Sequence, residues 1–162
     1  MRALPRRAFL ITTTATLFTA ACGASRSQRR ATRNLDTSEP PLYPNETPEL
    51  RVLINTYADL YDVPRPLVHK VVVRESTHRP WVQNGPYMGL MQIHPNTAGG
   101  MGYSGAPEGL LDAETNLTYA VKYLRGAWLV SDGDYDTAVG WYAKGYYYEA
   151  KKRGLLEETG LI

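Results

Sequence analysis

Between Leu67 and Thr97 the chain places a lone carboxylate, Glu75, where an apolar run of Leu67, Val68, Val71, Val72 and Val73 stops. A turn rich in Pro, Gly and Asn follows, and after it comes Gly89-Leu90-Met91-Gln92-Ile93. An acid at the mouth of a buried segment loses part of its hydration. That disfavours the charged form, so the group can hold a proton near neutrality and donate it. Gly89, without a Cβ, lets backbone pass close beside that acid. The ordinary alternative is a solvated or ion-paired glutamate at a helix end, with Arg74 and Arg79 as the neighbouring partners.

The companions of Glu75 carry a resemblance. Glu75-Ser76, Gly89-Leu90-Met91-Gln92-Ile93 fourteen residues on, Pro95, and Thr97-Ala98 resemble the soluble-type lytic transglycosylases (SLT) of the lysozyme-like superfamily. Asn116, followed by Tyr123-Leu124, and Tyr142 with Gly145 stand where that family has its Asn-helix and its Tyr-Asn-Ala-Gly motif. The resemblance covers roughly residues 50–150. It implies an all-α, lysozyme-like (goose-type lysozyme/SLT) helical domain without a substantial β-sheet. It also implies an enzyme that cleaves the bond between N-acetylmuramic acid and N-acetylglucosamine in peptidoglycan, leaving 1,6-anhydro ends.

Glycoside cleavage usually takes two carboxylates, one protonating the leaving oxygen and one serving as nucleophile or activating water. The reaction implied here needs only one, because the sugar's own C6 hydroxyl closes on C1 and proximity replaces the second acid. No further acid lies between His78 and Thr97, although Glu108, Asp112 and Glu114 could be brought in from another element. By the resemblance, Glu75 is the catalytic acid and base. Gln92 contacts substrate or positions Glu75, Met91 packs in the wall behind it, and Tyr142 reaches Glu75 with its hydroxyl. Tyr142 could equally be one more core tyrosine in a chain that has twelve. Ser76, Asn84 and His94 complete the expected substrate-binding set, and Asn116 is expected to fix backbone.

The chain also departs from the family pattern. Ala143-Lys144 replaces Asn-Ala, His94 stands at a usual methionine, Gln83 or Asn84 at a usual serine, and Arg79-Pro80 at Asn-Pro. Neither cofactor nor metal is expected, since a proton neutralises the leaving oxygen and the three histidines show no ligand spacing. Two other readings stay open: a water-using muramidase on the same fold, and a non-catalytic peptidoglycan-binding lipoprotein that keeps the groove for recognition.

The elements that must position these residues read as helices. Thr47-Pro48-Glu49 is a helix start, with apolar positions Leu50, Leu53, Ile54, Tyr57, Ala58 and Tyr61 running to about Asp62. Pro64 and Pro66 introduce a second helix that delivers Glu75. By propensity alone Val71-Val72-Val73 would suit a strand; length and the family resemblance favour helix. His94-Pro95-Asn96 starts a short helical turn, and residues 101–111 read as loop. Asp112 caps a long helix whose face is Ala113, Leu117, Ala120, Val121, Leu124, Trp128 and Leu129, ended by Ser131-Asp132-Gly133. Helices from about Asp134 and from Tyr146 to Arg153 follow, with no convincing strand pairing anywhere. Tyr57, Tyr61, Trp81, Tyr87, Tyr103, Trp141 and Tyr146 to Tyr148 offer flat faces for sugar rings, and the last three cannot all face inward on one helix.

The front of the chain reads differently. Arg2, Arg6 and Arg7 precede an apolar run from Phe9 to Ala21, and Ala20-Ala21-Cys22 closes it with small residues. Residues 1–22 are therefore expected to be an export signal. Arg6-Arg7-Ala8-Phe9-Leu10 resembles a twin-arginine signal, and Leu17 to Cys22 resembles a lipobox whose cysteine, Cys22, is lipidated. A simple cleaved signal is the alternative. Residues 23–46, dominated by Ser, Arg, Gln, Thr, Pro and Asn, are expected to be a disordered tether, leaving 47–162 as the catalytic domain. From Asp36 onward, 11 Lys and Arg face 16 Asp and Glu, a balance that leaves no basic stripe for nucleic acid. The expected place is the periplasm, anchored to a membrane by the lipid, with recruitment by an envelope machine suggested by the small domain.

Overall fold

The computed structural model describes residues 40–162; the expected export signal, twin-arginine motif and Cys22 lie outside them. The first helix, α1 (Pro48–Leu60), is entered through Thr47, whose hydroxyl accepts the Leu50 N–H at 3.1 Å, with Pro48 in its first turn. It buries Ile54 and Ala58 together with Arg51. After the turn at Asp62 comes α2 (Arg65–Glu75), which buries Leu67, Val68, His69, Val71 and Val72. The three valines are thus helical, as length and the resemblance indicated. Their β preference, well under 1 kcal/mol each, is small beside about 2 kcal/mol for each buried side chain.

Helix α2 stops at Glu75 for a structural reason. Ser76 and Thr77 both send their N–H groups back to the Val72 carbonyl, and Thr77 and His78 then adopt left-handed φ values of 52° and 59°. A two-residue hairpin follows, β1 (Gln83–Asn84) with β2 (Tyr87–Met88), turning through Gly85 and Pro86. No strand pairing was expected from the sequence, since runs of two residues carry no alternation to read. Met88 and Ile93 exchange both backbone hydrogen bonds at 3.1 Å, so Gly89-Leu90-Met91-Gln92 forms a closed turn.

Helix α3 (Pro95–Gly100) is capped by His94, and a 3-10 turn, Pro107–Leu111, occupies part of the expected loop. Helix α4 (Ala113–Leu129) is the central rod, capped by Asp112 through the Thr115 N–H at 2.8 Å, and α1, α3, the 3-10 turn and α5 (Tyr135–Lys144) all pack on it. Its face is buried at Leu117, Ala120, Val121, Leu124 and Ala127, whereas Trp128 and Leu129 lie at the rim. The helix ends at Leu129, and Ser131 to Asp134 make the turn beyond it. The last helix is α6 (Tyr147–Arg153), stopped by Gly154 in the left-handed region. Of the three adjacent tyrosines, Tyr146 is buried against Gly126 while Tyr147 and Tyr148 are exposed. Six α-helices and one minor hairpin among the described residues make this the expected helical domain without a substantial β-sheet.

The compact unit spans Pro41–Ile162, so the tether expected to reach residue 46 overruns it. Composition hid an anchor. Glu46 is buried, accepting Arg51 Nη2 at 2.6 Å, Arg51 Nε at 3.0 Å and the Tyr43 N–H at 2.8 Å. Burial works against its charge, but the Arg51 and Tyr43 hydrogen bonds outweigh it and hold the carboxyl below its ordinary value. Tyr43 stacks on His69 and His78, which burial keeps neutral: His69 is pushed down to about 4 and His78 is lowered in the same direction. Among the described residues no helix is long and apolar enough to cross a membrane.

Candidate active site

The last turn of α2, the hairpin, the Gly89–Ile93 turn, the start of α3 and the end of α5 surround a cleft of about 480 Å³. Glu75 lines it with 23% of its side chain exposed, and Asn84, Gln92, His94 and Tyr142 open on the same space. Desolvation raises the Glu75 pKa, and the adjacent Arg74, whose Nε lies 3.3 Å from Oε1, pulls back only part of that shift. The arrangement suits proton donation. Among the cleft-lining residues Glu75 is the sole carboxylate. Asp112 is occupied as the cap of α4, Glu114 accepts the Tyr57 hydroxyl, and Glu108 does not reach the cleft.

The Gly89–Ile93 turn is fixed from behind by one residue of α4. Asn116 is wholly buried: its Oδ1 accepts the Met91 N–H at 3.0 Å, and its Nδ2 donates to the carbonyls of Met88 and Leu110, each at 2.8 Å. The backbone role expected for it is therefore what the side chain performs. Gly89 belongs to the same device. A Cβ there would lie 2.3 Å from both Asn116 Nδ2 and the Leu110 oxygen, and its φ is +75°. The close approach that glycine permits is thus to Asn116 and Leu110, where the sequence suggested Glu75.

Gln92 takes a left-handed φ of 48° and ties its amide nitrogen to the carbonyls of Val82 and Gly89, each at 2.9 Å. Its Oε1 is buried without a hydrogen-bond partner beneath the surface of the cleft wall. Tyr142 lines the cleft, but its hydroxyl donates to the Met91 carbonyl at 2.9 Å, where a bond to Glu75 was expected. Burial first, and then the charge of Glu75, push that hydroxyl's pKa far up, so it stays protonated.

Two expected substrate contacts are elsewhere. Met91 is fully buried in the core, which fits the packing role expected for it but leaves its side chain closed to substrate; its N–H and carbonyl are bonded to Asn116 and Tyr142. Ser76 is buried at the end of α2, its hydroxyl bonded to the Val72 carbonyl and accepting the Arg79 N–H. Both positions belong to the motif, yet motif membership does not distinguish a wall from the frame behind it. His94 caps α3 by accepting the Asn96 N–H on Nδ1, and its ring meets Tyr87 edge-on across the cleft. Of the aromatic residues proposed for sugar stacking, Tyr87 alone lines the cleft, joined by Tyr123, which was read only as a motif neighbour. Arg74 and Lys144 bring two cations to the rim; Lys144 Nζ stands 3.8 Å from the centre of the Trp141 ring.

A small lysozyme-like helical domain with one half-dry carboxylate in its cleft is the class that fold and site define. The family model described as the transglycosylase SLT domain matches residues 52–155, and the chain belongs to that family. No curated protein and no solved structure matches it.

Proposed function

We propose that this chain is a lytic transglycosylase of peptidoglycan, with Glu75 as its single acid and base. The observation that carries the reading is that the cleft holds one carboxylate, desolvated and raised in pKa, with no second acid beside it. Protonated Glu75 gives its proton to the oxygen bridging N-acetylmuramic acid to N-acetylglucosamine, and the C1–O bond breaks. The resulting carboxylate accepts the proton of the muramic C6 hydroxyl as O6 bonds to C1, so Glu75 is regenerated and no water is consumed. Gln92 lines the cleft and, tied to the Val82 and Gly89 carbonyls, shapes the wall that faces the sugar. Arg74 and Lys144 suit the carboxylates of the peptide that muramic acid carries, or its lactyl carboxylate where the peptide is absent. Export, lipidation at Cys22 and a periplasmic, membrane-anchored position complete the proposal and rest on the sequence reading of residues 1–22.

The test is mass spectrometry of the fragments that the full chain releases from isolated sacculi, compared with Glu75→Gln. Anhydro-muramic ends from the wild type, and a loss of at least about a thousandfold in the variant, support the proposal. Reducing ends would assign a muramidase, and binding without release would assign a recognition module.

A further inference from the structure

Two of the three histidines, nine residues apart in sequence, meet away from the cleft. His69 Nδ1 and His78 Nε2 are 3.5 Å apart, and Glu46 Oε1 lies 3.6 Å from the first and 3.7 Å from the second. All three residues are buried. We propose that Glu46, His69 and His78 form a binding site for one zinc ion, independent of the glycan reaction.

The geometry argues for it in three ways. Three atoms 3.5–3.7 Å apart place a tetrahedral centre about 2.2 Å from each, close to the ordinary zinc–nitrogen and zinc–oxygen lengths. The same separations are too long for good hydrogen bonds, so protein groups alone satisfy this centre poorly. Outer contacts then aim the donors inward. His69 Nε2 bonds Asn55 Oδ1 at 3.0 Å, and when it donates there Nδ1 carries the lone pair. Glu46 is held by Tyr43 and Arg51, which leaves one edge of Oε1 facing the two rings.

Two neighbours set the strength of the site. Arg51 shares the carboxylate and weakens the hold on a cation, so binding from excess zinc is expected ahead of co-purification. His78 Nδ1 has no partner, and its N–H stays unsatisfied with the ion in place. Three protein ligands leave the fourth position to a water.

The site would act on the fold. His78 is the second of two consecutive left-handed non-glycine residues that follow Ser76 at the end of α2, and Asn45 Nδ2 already ties down the Thr77 carbonyl at 3.0 Å. An ion on His78 would clamp that strained turn and, through it, the end of α2.

The measurement uses the full chain, untagged, in a Cys22→Ser background, since a lone thiol binds zinc by itself. After treatment with a chelator, the protein is titrated with zinc chloride and, separately, cobalt chloride. We expect one zinc per chain, the visible absorption of four-coordinate cobalt, and a thermal midpoint raised by about 10 °C at a hundredfold excess over Kd. His69→Gln and His78→Gln should abolish all three responses, while His94→Gln retains them. Should both ligand variants fail to fold, Asn55→Ala keeps every ligand and should weaken zinc binding about tenfold or more. Wild-type protein that binds no zinc, or ligand variants that bind it equally well, would overturn the assignment.

Discussion

Glu46 and Glu75 are the same side chain in two opposite settings. Glu46 is out of water, yet Arg51 and the Tyr43 N–H more than replace its hydration, and its pKa falls. Glu75 is only partly out of water, with one 3.3 Å contact to an exposed arginine, and its pKa rises. The comparison shows that depth of burial does not decide whether a carboxyl keeps its proton. What decides is whether donors supplied by the fold make good the lost water. The first glutamate is built to hold structure, the second to exchange a proton.

The largest break in that comparison should come from Glu46→Gln. It strips the buried Arg51 of its partner, and loss of one member of a buried pair costs about 3–5 kcal/mol; chemical denaturation should register most of it. Next is Asn116→Ala, which orphans the Met91 N–H and the carbonyls of Met88 and Leu110. A loss of about 2–4 kcal/mol is expected in the same assay, together with weaker activity as the Gly89–Ile93 turn loosens.

The smallest effect has the opposite sign. Because the folded pKa of Glu75 lies above the unfolded one, its charge costs stability above the folded pKa, and the cost vanishes below the ordinary value of 4.5. Glu75→Gln should therefore raise the thermal midpoint by about 2 °C at pH 7 and by nothing at pH 3. Equal or lower stability at pH 7 would mean that the cleft solvates this carboxylate after all.

The two regions also differed in how legible they were. The cleft could be read from the sequence because its parts lie on a short, patterned stretch: Glu75 at the end of an apolar run, Gln92 and Gly89 at fixed spacing, and Asn116 one helix later. What that reading missed was direction. Ser76 and Met91 sit within the motif but point into the frame, and the Tyr142 hydroxyl goes to a carbonyl, because side-chain orientation follows from φ values and packing that spacing does not encode. The Glu46 cluster could not be read at all. Glu46 lies in a polar stretch that composition assigns to a tether, and His69 and His78 become neighbours only when the chain reverses through two left-handed residues. Nor does a two-residue hairpin leave a pattern to find.

The account turns on the proton of Glu75, and carbon-13 NMR titration of its side-chain carboxyl in the intact protein reads that proton directly. A midpoint above 4.5, with the Glu46 carboxyl titrating below 4.5 in the same spectra, is what the structure requires. A Glu75 midpoint at or below that of Glu46 would contradict it.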